Sequence, residues 1–198
     1  MSESNDFTIL LENGRFSYTY VYKPYKNEDG NQSYTTHWVF PENHPQTAQL
    51  MALIKQVAVA KWKDKADEVL AALKGQDRLC IHRGDISKPG IAVYKGQLYI
   101  SASRKFEDGP PRIADENRNE ITIASGKVYS GGRGNVIVRI WAQDNKWAKR
   151  INAELQGIQH TGHDEKLSAG GRLASLDEFK VAAKDADGAA PSSVSGLI

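Results

Sequence analysis

The stretch SGGRGNVIVRIWAQD, Ser130–Asp144, places a glycine-rich loop directly before a run of alternating side chains. In a strand, this alternation produces two faces, the first with Val136, Val138, Ile140 and Ala142 and the second with Ile137, Arg139, Trp141 and Gln143. The apolar first face suits a protein core. The second face carries a cation and a large aromatic ring two residues apart, so we expect it to be a binding surface.

The glycine-rich loop itself does not have the pattern of a mononucleotide site. Phosphate-binding loops follow a strand and open a helix, whereas Gly131, Gly132 and Gly134 precede a strand. Glycines at the start of a strand more often permit a bend, a bulge or the close approach of another chain segment. We therefore expect a structural role for this loop.

Further strands are predicted on both sides of this stretch. RFSYTYVYKPY, Arg15–Tyr25, alternates at period two and should end near Pro24, and SYTTHWVFP, 33–41, predicts a second strand. Tyr18, Tyr20 and Tyr22 form either a stacking row beside Arg15 and Lys23 or part of the interior, because periodicity alone does not select the inward face. QLYISASRK, 97–105, predicts a strand whose outer face carries Tyr99 and Lys105, with Arg104 near its end.

Helices are predicted from spacings of three and four residues. A helical insertion over about 45–75 has apolar residues at this spacing and ends at Gly75. Trp147, Ile151 and Leu155 lie four apart and predict a second helix over 144–159. Ser175 with Glu178 forms a capping box that predicts a short terminal helix.

Together these elements predict a mainly β fold with α insertions: a small antiparallel β-barrel resembling the OB-fold, with two or three amphipathic helices. The connections are too short for parallel crossovers. An open α+β sandwich is the alternative. We expect one domain over 15–182, a flexible N-terminus over 1–14 and a disordered tail over 183–198.

Composition limits the classes of function. The net charge is +2 over 198 residues, but residues 78–150 hold 14 lysines and arginines against 7 acidic residues, a basic middle typical of polyanion binders. The lone Cys80, flanked by apolar residues, predicts a buried thiol in a reducing compartment. The sequence shows neither a signal peptide nor a membrane-spanning stretch, so we expect a cytoplasmic protein.

Two other classes of function compete with polyanion binding. HTGHDE places His160 and His163 beside Asp164 and Glu165, but zinc sites usually need three or four ligands, so this is thin support for a metal-dependent nucleic-acid enzyme. The sequence shows no Ser/His/Asp or Cys/His arrangement of a nucleophilic enzyme, and we predict no catalytic residue, metal or cofactor. A protein-binding or structural module, with its aromatic residues buried, remains the other alternative.

The order of short motifs resembles a known family. The motifs are RFSY at 15–18, FP at 40–41, HRGD at 82–85, YISASRKFEDGPPRIAD at 99–115, YSGGRG at 129–134, LQGIQ at 155–159, GG at 170–171 and Phe179. In this order they are similar to bacteriophage single-stranded-DNA-binding proteins long catalogued as a domain of unknown function. The similarity runs from Arg15 to Phe179.

This resemblance implies an OB-fold protein without catalytic activity that coats single-stranded DNA (ssDNA) in phage replication and recombination, in the host cytoplasm and with replication or recombination proteins as partners. Tail-mediated recruitment is not expected, since after Lys184 the tail has only Asp185 and Asp187 as acidic residues. With the strand patterns, the predicted nucleic-acid-binding set is Arg15, Tyr18, Tyr20, Tyr22, Lys23, Arg83, Tyr99, Arg104, Lys105, Arg133, Arg139 and Trp141.

Overall fold

The computed structural model describes residues 7–167. Its strands are β1 (Thr8–Lys26), β2 (Gln32–Pro41), β3 (Ile81–Arg83), β4 (Gln97–Lys105), β5 (Arg112–Ala114), β6 (Arg133–Asp144) and β7 (Lys149–Gly162). The helices are α1 (Thr47–Trp62), α2 (Ala66–Gly75) and the single turn α3 (Gly84–Ser87), with short 3₁₀ turns between elements. No helix in this part of the chain is both long and apolar enough to cross a bilayer.

Five strands close into a barrel. β1 pairs with β2 on one side and β6 on the other, β2 pairs with β4, and β6 pairs with β7, all antiparallel. The ring closes where β4 and β7 run parallel, at Ala102 opposite Ala153 and Ser103 opposite Glu154. The predicted small barrel of the OB type is therefore confirmed. The antiparallel prediction is wrong for the pairings of β7 with β4 and with β5, which are both parallel.

The two faces of β6 are as the sequence predicts. Val136, Val138 and Ile140 have no exposed surface, whereas Ile137 and Trp141 on the other face are about two-fifths exposed. Burying three branched side chains contributes about 1.5–3 kcal/mol each and holds β6 against the core. The outward direction of Trp141 is set by this alternation.

The helical insertion lies where the sequence predicts it, as α1 and α2. Leu50, Ile54, Val57 and Ala58 of α1 are buried in the core. Trp62 ends the helix, and its indole nitrogen donates a 2.7 Å hydrogen bond to the Asp144 carboxylate at the end of β6. The lone thiol, Cys80, is buried as expected, and burial raises its pKa to about 12.

The predicted second helix over 144–159 is wrong, because this segment forms the end of β6, a turn and most of β7. Residues four apart share a face in a strand as well as in a helix, and here Ile151, Ala153 and Leu155 are all buried at period two. Pairing with β6 from Lys149 to Gly162 satisfies the backbone, while Trp147 lies in the turn with 80% of its surface exposed.

The N-terminal prediction also needs correction. Residues 1–14 were expected to be flexible, yet β1 begins at Thr8, and its Ile9 and Leu11 are buried opposite Val138 and Val136 of β6. Two buried apolar side chains and a ladder of hydrogen bonds explain the difference. The predicted terminal helix and the tail over 183–198 lie outside the described residues.

The glycines before β6 permit close packing, as the sequence predicts. A Cβ atom at Gly134 would overlap the carbonyl oxygen of Gln159 and the ring of Phe16. The carbonyl oxygen of Gly134 also accepts a 2.8 Å hydrogen bond from the indole nitrogen of Trp38, a fully buried residue. Absence of a side chain at Gly134 therefore leaves room for the Phe16 ring and for the backbone of Gln159.

Replacing Gly134 with alanine should destabilise the protein. The added methyl group must displace backbone on one side and an aromatic ring on the other, so we expect the free energy of unfolding to fall by about 1–3 kcal/mol or more. Gly75→Ala is the matched control, because a Cβ there meets nothing within 4 Å. Urea denaturation checks both variants, and equal stability of the two would contradict this account of the packing.

Candidate nucleic-acid interface

The outer faces of β1, β2 and β4 form one continuous surface, which we call the binding face. Strand pairing places its residues in three rows: Arg15, Val39 and Tyr99; Ser17, His37 and Ser101; Tyr20, Thr35 and Ser103. Residues paired across neighbouring strands point to the same side of a sheet. The sequence-predicted cations and tyrosines of these strands are therefore brought together over the barrel wall.

Aromatic rings occupy the middle of the binding face. Tyr18 lies at an irregularity of β1 with a φ of 47°, and 37% of its surface is exposed. The ammonium group of Lys88 lies 5.0 Å from the centre of its ring, and the His37 ring lies 5.2 Å away. An exposed ring beside a cation can stack on a base while the cation meets a phosphate.

Tyr99 does not present a ring to the outside, in contrast to its prediction as a binding residue. It is 4% exposed and packs between the rings of His37, at 4.7 Å, and His82, at 4.9 Å. The 3₁₀ turn 92–94 covers it, with the Tyr94 ring edge-on at 4.9 Å. Tyr99 is therefore a buried support for the layer of aromatic rings formed by His37, His82 and Tyr94.

His37 at the centre of this layer is held in its neutral form. Its Nδ1 lies 2.7 Å from the hydroxyl group of Tyr94. Burial, with the charges of Lys88 and His82, lowers the pKa of His37 to about 3. The rings in the middle of the binding face thus form an uncharged aromatic platform at neutral pH, with the ammonium group of Lys88 beside Tyr18.

A groove of about 380 Å³ lies at one end of the binding face, across the contact between β4 and β7. Its lining includes four residues of the predicted set: Arg104, Lys105, Arg139 and Trp141. Ser103 also lines it and belongs to the row that contains Tyr20. Tyr20 and Tyr25 are both exposed, and their ring centres are 5.3 Å apart.

The arginines of this groove converge on one carboxylate. Glu154 of β7 accepts a 3.0 Å hydrogen bond from Arg104 through one oxygen and pairs with Arg139 through the other. Arg104 also donates to the carbonyl oxygens of Asp108, at 2.8 Å, and Gly109, at 3.0 Å. Both guanidinium groups are thereby oriented beside Trp141.

The opposite end carries two more of the predicted arginines. Arg15 and Arg133 line a depression of about 260 Å³ together with Lys95. Asp164 lies against both of them, 2.7 Å from Arg133 and 3.5 Å from Arg15. Hydrogen bonding to the backbone of Glu165, with Arg15 and Arg133 nearby, keeps the pKa of Asp164 below its usual value.

The other members of the predicted set are more scattered. Tyr22 packs partly buried against the core, so it belongs to the interior and not to a stacking row. Lys23 is exposed on β1, and Arg83 pairs with Glu42 at the edge of the sheet. Lys105 pairs with Glu107 at 3.2 Å. Four exposed tyrosines and lysines thus remain on or beside the binding face: Tyr18, Tyr20, Lys23 and Lys105.

Sequence reasoning missed several residues of this surface. His37 shares the outward face of β2 with Thr35, so the period of two was an available signal for it. Lys88 and Tyr94 reach the binding face from an irregular segment, where no periodicity exists to indicate direction. Trp147 in the β6–β7 turn was assigned to a helix.

The histidines that suggested a metal site do not assemble one. His160 is buried and His163 packs against its ring at 4.6 Å and against Tyr129 at 5.9 Å. Within residues 7–167, no group of three or more potential metal ligands converges. These histidines instead pack at the end of β7.

Protonation of His37 should destabilise the fold. Burial disfavours the charged form of His37 in the folded state only. The resulting stability of the folded state is therefore complete above the unfolded-state pKa of 6.5 and is lost as the pH falls toward 3. We expect the free energy of unfolding to decrease by up to about 1.4 kcal/mol per pH unit from this residue. Denaturation at pH 4–7 should show a shallower slope for His37→Asn; identical slopes would contradict the assignment.

Comparison with known proteins agrees with this geometry. A family model described as Enterobacter phage Enc34, ssDNA-binding protein, matches residues 7–189. In a search of curated proteins, none matches this sequence.

Proteins of two phages are among the solved structures with a similar fold. The Enc34 single-stranded DNA-binding protein in complex with ssDNA is 27% identical, with a TM-score of 0.68 over 81% of this chain and 89% of that one. Another structure of that protein is 26% identical, with a TM-score of 0.65 over 86% and 88%. The bacteriophage T7 protein gp2.5, a single-stranded DNA binding protein, is 10% identical with a TM-score of 0.54 over 85% and 98%, a likeness of fold alone.

The family suggested by the sequence motifs is therefore confirmed. Because the family model spans nearly the whole chain, this protein belongs to the family of the Enterobacter phage Enc34 ssDNA-binding protein.

Proposed function

We propose that this protein binds single-stranded DNA along the binding face, without sequence preference, and coats it during phage DNA replication or recombination in the host cytoplasm. The observation that carries the proposal is the convergence of exposed aromatic rings and cations on one side of the barrel. Tyr18, Tyr20 and Trp141 are each 37–38% exposed; Tyr18 lies beside Lys88, and Trp141 lines the groove with Arg104 and Arg139. Membership of the family supports the same function.

The dimensions of the binding face suit an extended polynucleotide. From Tyr99 to Lys105 the six residue steps of β4 extend about 20 Å. Barrels of this type bind oligonucleotides across the outer face of their second and third strands and the adjoining loops. Here those strands are β2 and β4, and the exposed Trp147 lies in the turn between the last two barrel strands.

Stacking explains why no base should be strongly preferred. Every base offers a flat face to an aromatic ring, so stacking contributes about 1–3 kcal/mol per base whatever the sequence. The cations contact phosphates, which are the same along the strand. We propose that the protein acts by binding alone, without a catalytic step.

A protein-binding module is the competing hypothesis, and titration with oligo-dT distinguishes the two. Stacking on Trp141 should quench part of the tryptophan fluorescence. For two or three phosphate contacts, affinity should fall about 7-fold to 20-fold between 50 and 200 mM salt. A protein that shows neither quenching nor salt dependence with oligo-dT would not be an ssDNA-binding protein.

Alanine substitutions on the binding face should separate binding from folding. Trp141→Ala and Tyr18→Ala each remove one stacking partner, so we expect affinity for oligo-dT to fall by about 1–3 kcal/mol. Because both side chains are more than one-third exposed, the melting temperature should change little. Fluorescence anisotropy and thermal unfolding measure the two effects.

Val59→Ala is the matched control, since it truncates an exposed apolar side chain of α1 outside the binding face. Its affinity for oligo-dT should equal that of the unmodified protein. If Trp141→Ala unfolds the protein, or binds DNA as tightly as the control, Trp141 is not part of the interface.

A further inference from the structure

Two carboxylates hold four arginines of the predicted binding set. Asp164 lies against Arg15 and Arg133 at one end of the binding face, and Glu154 lies against Arg104 and Arg139 at the other. All four guanidinium groups were expected to meet phosphate. In this structure each pair meets an acidic side chain of the protein itself.

The segment that carries Asp164 is closely attached to the glycine-rich loop. Glu165 presents its backbone carbonyl to Gly131, where a Cβ atom would collide with it, and also accepts a 2.7 Å hydrogen bond from Arg15. The Tyr129 hydroxyl donates to the carbonyl oxygen of Asp164 at 2.9 Å. The position of the Asp164 carboxylate is therefore set by its backbone and not only by the arginines.

Glu154 is fixed in the same way. It belongs to the parallel contact that closes the barrel, opposite Ser103, and its side chain is only 20% exposed. Its two oxygens receive different arginines, one from β4 and one from β6. This carboxylate is therefore a permanent part of the groove floor.

The carboxylates are not needed to hold one arginine of each pair in place. Arg15 also donates to the carbonyl oxygens of Gly131 and Glu165, and Arg104 to those of Asp108 and Gly109. For Arg15 and Arg104, the consequence of Asp164 and Glu154 is therefore mainly electrostatic. Each of them cancels half of the positive charge of its arginine pair.

Reduced positive charge affects duplex and single-stranded DNA differently. A duplex keeps its bases stacked inside and must be held through its phosphates, at one charge per about 1.7 Å of axis. A single strand also offers base faces to Tyr18, Tyr20 and Trp141. A weaker attraction to phosphate therefore removes a larger fraction of the binding free energy from a duplex than from a single strand.

We propose that Asp164 and Glu154 are specificity-determining residues that make the binding face prefer single-stranded over duplex DNA. This inference rests on the proposed ssDNA-binding function. Specificity of this kind comes from an element that weakens the wrong complex, since discrimination is a difference between two affinities. The aromatic platform supplies affinity for unpaired bases, and the two carboxylates limit binding that uses phosphate alone.

The test is the double variant Asp164→Asn with Glu154→Gln, in the full-length chain. The amides keep the shape and the oxygen acceptors of the acidic side chains and remove two negative charges. The matched control is Asp67→Asn with Glu68→Gln on α2, which changes the net charge equally away from the binding face. Affinities for oligo-dT and for a duplex of equal length are measured at several salt concentrations.

For the binding-face variant we expect duplex affinity to rise about tenfold or more near 0.1 M salt, and the salt slope for duplex to steepen by about 2 units. The ratio of single-strand to duplex affinity should fall by about 2.5-fold, because single strands respond less steeply to salt. The α2 control should leave this ratio unchanged. Circular dichroism tests whether each variant is folded. If the double variant is unfolded, the two single variants are measured in its place.

A ratio that stays the same as in the control, or duplex affinity that falls, would overturn the inference while leaving ssDNA binding intact. Failure of the unmodified protein to bind oligo-dT would instead refute the proposed function, and this inference with it. The two failures are therefore distinguishable in one set of titrations.

Discussion

The short parallel contact between β4 and β7 is the constraint on which the binding face depends. It consists of two residue pairs, Ala102 with Ala153 and Ser103 with Glu154. The two alanines are buried and small, so the strands approach closely enough to pair while their neighbours fill the core. Closure at this point turns a sheet with two edges into a barrel and brings the outward residues of β4, β6 and β7 into one groove.

The binding face divides its physical tasks between its middle and its ends. The rings in the middle carry no charge, because burial keeps His37 neutral beneath Tyr18, and the cation Lys88 lies beside them. The ends are cationic, but a carboxylate balances each arginine pair. In the proposed complex, contacts in the middle favour unpaired bases, whereas contacts at the ends follow the phosphate backbone. Preference for one form of DNA then depends on the balance between these two kinds of contact.

The sequence predicted best where local periodicity and burial act together. The apolar face of β6 was predicted because a spacing of two residues repeats along the strand. The helical insertion was predicted because spacings of three and four residues repeat over several turns. The β7 segment was misassigned because Ile151 and Leu155 satisfy both periods. Tyr22 and Tyr99 were placed in the binding set because alternation identifies two faces of a strand without saying what covers each.

The sequence by itself determined the strands β2, β4 and β6, the helices α1 and α2, the side of β6 that carries Arg139 and Trp141, and the family of the protein. These depend on neighbours along the chain. Only the tertiary structure decided that His37 and Tyr99 are covered by 92–94, and that Asp164 and Glu154 each hold two arginines. The contacts His37–Tyr94, Arg104–Glu154 and Arg15–Asp164 join residues 57, 50 and 149 positions apart, so they arise from the path of the closed barrel and leave no local pattern.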